Sequence, residues 1–446
     1  MKKEIYNEIC SQVYATLKEG ESLTIYMEGE NSQYFRFNDS KIRQTGIIED
    51  YKVTLSLYHG KKSLQATTTI SSDIDYSVKN LISEIDSLRE PLSLIPNNDF
   101  TAFPTKFDSL EMYRKGELPN REEILDSLMD IIHSDNLTGV WASGKIFRAS
   151  STSSGTSHWF EKDSFIFDFS LIDAKENMVK ILYPGSDWNK DDFITAFDDA
   201  SDQLKLMDKP KVELKPGKYR VWFEPHAVAD FIDMLNWNGV SESSLRNGSS
   251  SLLKMRNDNV KLSDKFSLDE SFDRKSTAPF NSRAEVSGNV SIIKNGELES
   301  TLINSKTALE YGLNSNYAED TNSWGMGEYL RAPLMHGGNI KLNERLERLG
   351  TGIFISNIHY LNWSDNLGGR ITGLTRYACY WVEDGKMIAP IKTMRFDDSF
   401  YNFFGNNLEG VGKDVLSRPV IETYDGRNPG ETTCPGILVN DFELTL

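Results

Sequence analysis

The chain has 446 residues, 39% of them hydrophobic and 26% charged, with a formal net charge of -17. That length exceeds what one hydrophobic core usually serves, and the composition is that of a globular protein. The acidic balance excludes nucleic acid as an expected partner, because affinity for phosphate backbones comes from Lys and Arg displacing counterions and no basic cluster interleaved with aromatics is present.

From the N-terminus, Ile5, Ile9, Val13 and Leu17 recur every four residues and predict a helix with Gly20 at its C-cap. Residues 23–27, 33–37 and 51–58 alternate as strands, and His59-Gly60 turns the chain into a strand over 63–69. Asp73 is placed to cap a helix whose apolar positions Ile74, Val78, Leu81, Ile82, Ile85 and Leu88 fit a 3.6-residue period. Pro91, Pro96, Pro104 and Pro119 predict a long surface connection over residues 90–120. A helix over 121–134 follows, then strands over 141–148 and 158–171 around the turn SSTSSGTS, a turn at Tyr183-Pro184-Gly185, and a helix over 191–207. Asp208-Lys209-Pro210 and Lys215-Pro216-Gly217 mark the expected boundary between an N-terminal domain, 1–208, and a C-terminal domain, 209–446.

The second half opens with a strand over 219–223 and a helix over 225–236, and Asn295-Gly296 predicts a hairpin within 286–303. Residues 350–396 are the most orderly stretch. A strand over 353–360, turn residues at 365–369, a strand over 371–381, an Asp-Gly turn at Asp384-Gly385 and a third strand over 387–391, held to an edge by Pro390, read as an antiparallel meander. Its exposed backbone suits a core, a subunit contact or the holding of an extended peptide. The fold class expected is α+β: a sheet-and-helix N-terminal domain followed by a C-terminal domain dominated by antiparallel sheet.

No apolar run approaches the roughly 20 residues that cross a bilayer, and the opening MKKEIYNEICSQVYATLKEG is amphipathic rather than a signal-peptide core, so a cytoplasmic protein with no membrane partner is expected. Cys10, Cys379 and Cys434 form neither a disulfide framework nor a thiol-only zinc site; Cys379 reads as a small core residue, and Cys434 as a buried or edge thiol, set against a metal ligand. His226 and Asp230 at i,i+4, with Asp233 and Glu224 nearby, make a conceivable metal pair, set against a reading in which His226 flanks the helix start and the aspartates face water. His359, followed by Tyr360 and Asn362, ends the opening strand of the meander, placed either for cross-strand packing or for polar contact with a bound peptide backbone. Ser154 and His158 can be drawn as nucleophile and base, but no third orienting group is visible. His59, His133 and His336 fall in a turn, a helix end and a Pro/Gly loop, while Asp199, Asp202, Asp397 and Asp398 read as solvated charges or helix starts. Gly325-Met326-Gly327 and Gly350-Thr351-Gly352 lack the context of a dinucleotide site, and no Walker sequence occurs.

The order G-T-G, aliphatic strand, H-Y-x-N, T-G-L-T-R, E-D-G-K, P-I-K and M-R-F over 350–396 resembles the C-terminal domain of the TldD/PmbA family, in its TldE (PmbA)-like branch. YRVWFEPHAVADFIDML (219–235), GELESTLINSKTALEYG (296–312) and CPGILVNDF (434–442) resemble the family in the same order. The resemblance implies a two-domain subunit, a dimer, and cytoplasmic proteolysis of peptides or unfolded segments in an enclosed cavity. The TldD-like branch is similar to zinc peptidases through an H-E-x-x-x-H helix and a later cysteine. Counted without gaps from the strand over 219–223, that motif falls on Asp233-Met234-Leu235-Asn236-Trp237-Asn238, which offers neither histidine nor the glutamate that would accept a proton from bound water. No H-E-x-x-x-H occurs anywhere in the chain. The expectation is a subunit that binds no cofactor itself and works with a zinc-bearing TldD-like partner. The alternatives are a noncatalytic peptide-binding homodimer or assembly module, and a stand-alone peptidase built on His226, Asp230 and Asp233.

Overall fold

The computed structural model describes residues 1–132, 136–237, 239–321, 327–423 and 426–446; the expectations placed on His133, Asn238 and Gly325-Met326 lie outside them. Among the described residues the fold is α+β, with one sheet of seven strands and a second of thirteen.

The first sheet grows from two long strands, Glu21–Asn38 and Lys41–His59, paired antiparallel along their length. Lys62–Thr69 extends one side; Asn136–Thr152 and Ser157–Ile172 extend the other, and the latter carries Met178–Gly185 and, in parallel, Glu111–Arg114. Leu23, Ile25 and Met27 alternate with polar residues and face a core shared with Tyr6, Ile9 and Val13 of helix Lys3–Tyr14 and with Leu81 and Ile85 of helix Ile74–Leu94. Each such side chain, fully buried, contributes about 1.5–3 kcal/mol. A second cluster sets Phe35, Trp141, Phe167 and Phe169 against helices Arg121–Ile131 and Lys190–Met207, and it also takes in Trp222, Phe354, Tyr380 and Leu438, so the two sheets share a core.

Several expected boundaries move. The first helix ends at Tyr14, and Gly20, at φ +81°, serves the turn into the sheet. The second runs through Pro91 to Leu94, although proline there has no N–H to give to the carbonyl of Ser87. The strands expected over 23–27 and 33–37 are one strand: Glu30 and Ser32, polar enough to suggest a break, are buried against Arg427. Tyr183-Pro184-Gly185 ends a strand rather than turning it.

The second sheet is centred on strand Gly217–Phe223, which lies between Gly352–Ile355 in parallel and Glu431–Leu444 in antiparallel register. Helix Pro225–Asn236 follows it directly, with Pro225 at the first turn, where no backbone donor is lost. The helix buries Ala227, Val228, Phe231 and Leu235 in the core of this sheet. The expected meander is cut in two. Gly352–Ile355 pairs with Cys379–Glu383, which pairs with Lys386–Pro390, whereas Ile358–Asp365 pairs with Arg370–Thr375, which pairs with Arg395–Ser399. The Asp-Gly turn is as expected, Asp384 and Gly385 both at positive φ, and so is the Asn295-Gly296 turn. No helix among the described residues is long and apolar enough to cross a membrane.

Candidate functional site

On helix Pro225–Asn236, residues 226, 230 and 233 stand at i, i+4 and i+7, which puts them on one stripe opposite the stripe that the core claims. That stripe forms a wall of a cavity of about 620 Å³. Lys180, from strand Met178–Gly185 of the first sheet, forms a second wall. Asn357, His359 and Tyr360 form a third, and Arg418 with residues 419–422, at and beyond the end of strand Leu408–Pro419, a fourth.

Arg418 dominates the arrangement. Its Nη1 donates to Asp230 and its Nη2 to Asp233, while Thr432 Oγ1 donates to the other oxygen of Asp233 at 2.8 Å. The Arg418 side chain is only 15% exposed. Burial disfavours its charge, but Asp233 and Asp230 outweigh burial and hold the guanidinium above its usual value. Burial also pushes Asp230 above the ordinary carboxylate range, with Arg418 pulling the other way. His226 is lowered to about 4, by burial first and then by Arg418 and Lys180, so it is a neutral imidazole at neutral pH.

On the third wall His359 is lowered by burial, by Arg376 and by Lys180. Arg376 Nη1 lies 3.1 Å from His359 Nε2; a guanidinium only donates, so Nε2 accepts and Nδ1 carries the ring proton. Tyr360 and Tyr377, both lining the cavity, sit at φ +57° and +69°. Left-handed conformations are costly for aromatic residues and gather where structure serves function. Tyr360 is also 79% exposed, at a register break between His359 and Asn362.

A catalytic zinc needs three protein ligands and an open position. Among the described residues no three His, Cys, Asp or Glu side chains converge closely enough to hold a metal. Asp230 and Asp233 are taken up by Arg418. The Cys434 thiol, raised by burial, donates to Pro225 O at 3.2 Å. The donor set as arranged does not fit a metal ion.

The structure thus brings His226, Asp230, Asp233, His359 and Tyr360 to one cavity, and leaves exposed Asn362 outside its lining. The expectation that Asp230 and Asp233 simply face water is corrected, since both are clasped by Arg418. Ser154 and His158 are not a nucleophile–base pair: His158 Nδ1 accepts from Leu110 N–H at 3.0 Å, its Nε2 donates to Ala284 O at 3.1 Å, and Ser154 bonds Thr152 Oγ1. Asp398 is no solvated charge; it is buried and accepts from Ser399 N–H, Asn402 Nδ2 and Glu443 N–H. Cys379 is a buried thiol pushed up to about 12 by burial, and His336 pairs with Asp269 at 2.6 Å. Sequence reasoning missed Arg418 and Lys180. The one available signal was two carboxylates on a single helix stripe, an arrangement that calls for a nearby cation once it is buried.

Comparison of the sequence with curated proteins gives no match. Three solved structures share the fold over nearly the whole chain. TldE from Thermococcus kodakarensis has a TM-score of 0.78 at 13% identity, over 99% of this chain and 100% of that one. A candidate modulator of DNA gyrase from Thermotoga maritima has 0.77 at 15%, over 98% and 100%, and one from Bacteroides thetaiotaomicron has 0.73 at 14%, over 99% and 98%. Residues 216–446, which carry the helix, the bipartite sheet and most of the cavity, match the family model of the PmbA/TldA metallopeptidase C-terminal domain, and on that match over more than half of its length the chain belongs to the TldD/PmbA family.

Proposed function

We propose that this chain is a TldE-like subunit of a cytoplasmic zinc metallopeptidase, itself without the catalytic metal, which holds peptides or unfolded segments beside the zinc of a TldD-like partner. The observation that carries this reading is the clasp of Arg418 on Asp230 and Asp233: the side chains best placed to bind a metal in the cavity are already neutralised. The whole-length likeness of fold to a TldE supports it. So does a cavity lined by charged and polar side chains in a chain without H-E-x-x-x-H. The His359 Nδ1–H and the exposed Tyr360 belong to strand Ile358–Asp365, which among the described strands pairs only with Arg370–Thr375. A strand bonded on one side offers backbone groups to an extended peptide.

The test is to purify this chain alone and with a TldD-like chain that keeps H-E-x-x-x-H, and to measure zinc and peptide cleavage in each. Zinc and cleavage are expected only in the pair, with His359→Ala raising KM more than it lowers kcat once circular dichroism shows the fold intact. Stoichiometric zinc and cleavage by the isolated chain reject the reading. Tight, cleavage-free peptide binding by a homodimer that recruits no partner rejects it in favour of a noncatalytic module.

A further inference from the structure

A catalytic metal in a buried cavity does two things apart from chemistry: it neutralises the carboxylates around it, and it ties together the elements that carry them. In this cavity both tasks fall to one side chain. Asp230 and Asp233 lie three residues apart on helix Pro225–Asn236, close enough that Asp233 helps to push Asp230 toward its neutral form. Arg418 arrives from strand Leu408–Pro419, some 190 residues away in sequence, and gives one end of its fork to each. Thr432, from the neighbouring strand Glu431–Leu444, closes the group by bonding Asp233, and Arg418 and Thr432 are register partners in the sheet. The strand ends one residue beyond Arg418, at Pro419, and residues 419–422 form the outer wall of the cavity.

Resting on the reading of this chain as the metal-free subunit, we infer that Arg418 is the permanent counter-cation of the Asp230–Asp233 pair, a positioning residue that neutralises both carboxylates and fixes helix and outer wall as a metal would. The geometry calls for a guanidinium in particular. Two carboxylates on separate side chains are satisfied together by a planar fork with donors on both ends, whereas an ammonium is a point charge that serves one well and the other poorly. The site is therefore a clamp for a guanidinium rather than a vacant metal site, and it discriminates between the two kinds of cation.

The experiment uses the full isolated chain and needs no partner. Arg418→Ala is expected to lower Tm by roughly 3 °C or more, because it leaves two partly buried carboxylates unpaired. Millimolar methylguanidinium should restore most of that loss, matched methylammonium and sodium should not, and Arg418→Lys should recover only part of it. Metal analysis after incubation with zinc should find well under one zinc per chain in both the wild type and Arg418→Ala. Stoichiometric zinc in Arg418→Ala, with zinc and not methylguanidinium restoring Tm, overturns the inference by making Arg418 the mask of a metal centre. An unchanged Tm, or a loss that no cation restores, also overturns it. Should Arg418→Ala not fold, Asp233→Asn decides. Removing a negative charge from a protein of net charge -17 should raise Tm if Asp233 is a solvated surface charge, and should lower it if Asp233 is half of the clasp. Zinc in the isolated wild type would defeat the metal-free reading itself, an outcome distinct from every result in the variants.

Discussion

His158 shows how a single ring can be misjudged from its neighbours in sequence. Its imidazole stacks on Phe280 at 4.9 Å, accepts from Leu110 N–H through Nδ1 and donates to Ala284 O through Nε2. Only the neutral ring can do both, and burial lowers its pKa below 6.5, against the opposing effect of the bond to Ala284. The unfolded chain therefore binds more protons here than the native one as pH falls below 6.5. The stability tied to neutral His158 is complete above that value and is lost as pH drops through the depressed one. His158→Gln should cost about 1–3 kcal/mol at pH 7 for the unpaired backbone groups, yet lose less stability than the wild type between pH 7 and pH 5. Urea unfolding at several pH values checks this, and parallel slopes for the two proteins would refute it. Nothing local to His158 could reveal the arrangement, since its partners lie 48 and 126 residues away, while Ser154, four residues off, suggested chemistry that the fold does not build.

Among elements, helix Pro225–Asn236 was legible to the residue, because Pro225 and a dense apolar stripe are local signals and the structure uses both. The strands over 353–360 and 371–381 were legible as β but not as two pieces each. Their pattern runs on through Ser356-Asn357 and Arg376-Tyr377, and the break is imposed by which partner each half finds. Gly352–Ile355 is drawn to Gly217–Phe223, more than a hundred residues earlier, and Gly352 marks how closely. A Cβ there would meet Arg220 O at 2.3 Å, backbone against backbone, with no flexible atom to yield. Gly352→Ala should therefore destabilise by about 2 kcal/mol or more, while Gly288→Ala, where a Cβ would meet nothing within 4 Å, should stay within about 0.5 kcal/mol of the wild type. Equal thermal unfolding of the two variants would show that the strand tolerates a shift away from its parallel partner.

At the scale of the whole molecule, the family likeness and the α+β class were legible because they rest on patterns that repeat along the chain. The joining of the two sheets was not, because it rests on side chains placed by opposite ends of the sequence. Arg427, between strands Leu408–Pro419 and Glu431–Leu444, reaches into the first sheet. Its Nη2 donates to Ser164 O and Oγ at 2.8 Å each, its Nη1 to Ser32 Oγ at 3.2 Å and Gly144 O at 3.3 Å, and its backbone N–H to Glu30 Oε1 at 3.2 Å. Burial lowers its pKa to about 10, with Glu30 opposing, so the guanidinium stays charged at neutral pH and depends on this set of acceptors. Tyr380 repeats the pattern from within the second sheet, its hydroxyl donating to Gln203 O at 2.9 Å on helix Lys190–Met207. With a core shared as well, neither sheet keeps its buried surface if the other unfolds. Calorimetry of the wild type should accordingly give one transition, with calorimetric and van't Hoff enthalpies in agreement. Arg427→Met removes the charge and leaves Ser32, Gly144 and Ser164 short of donors, so it should cost about 3 kcal/mol while keeping a single transition, because the shared core remains. Two resolved transitions in the wild type would mean that the shared core couples the sheets too weakly to make them fold as one.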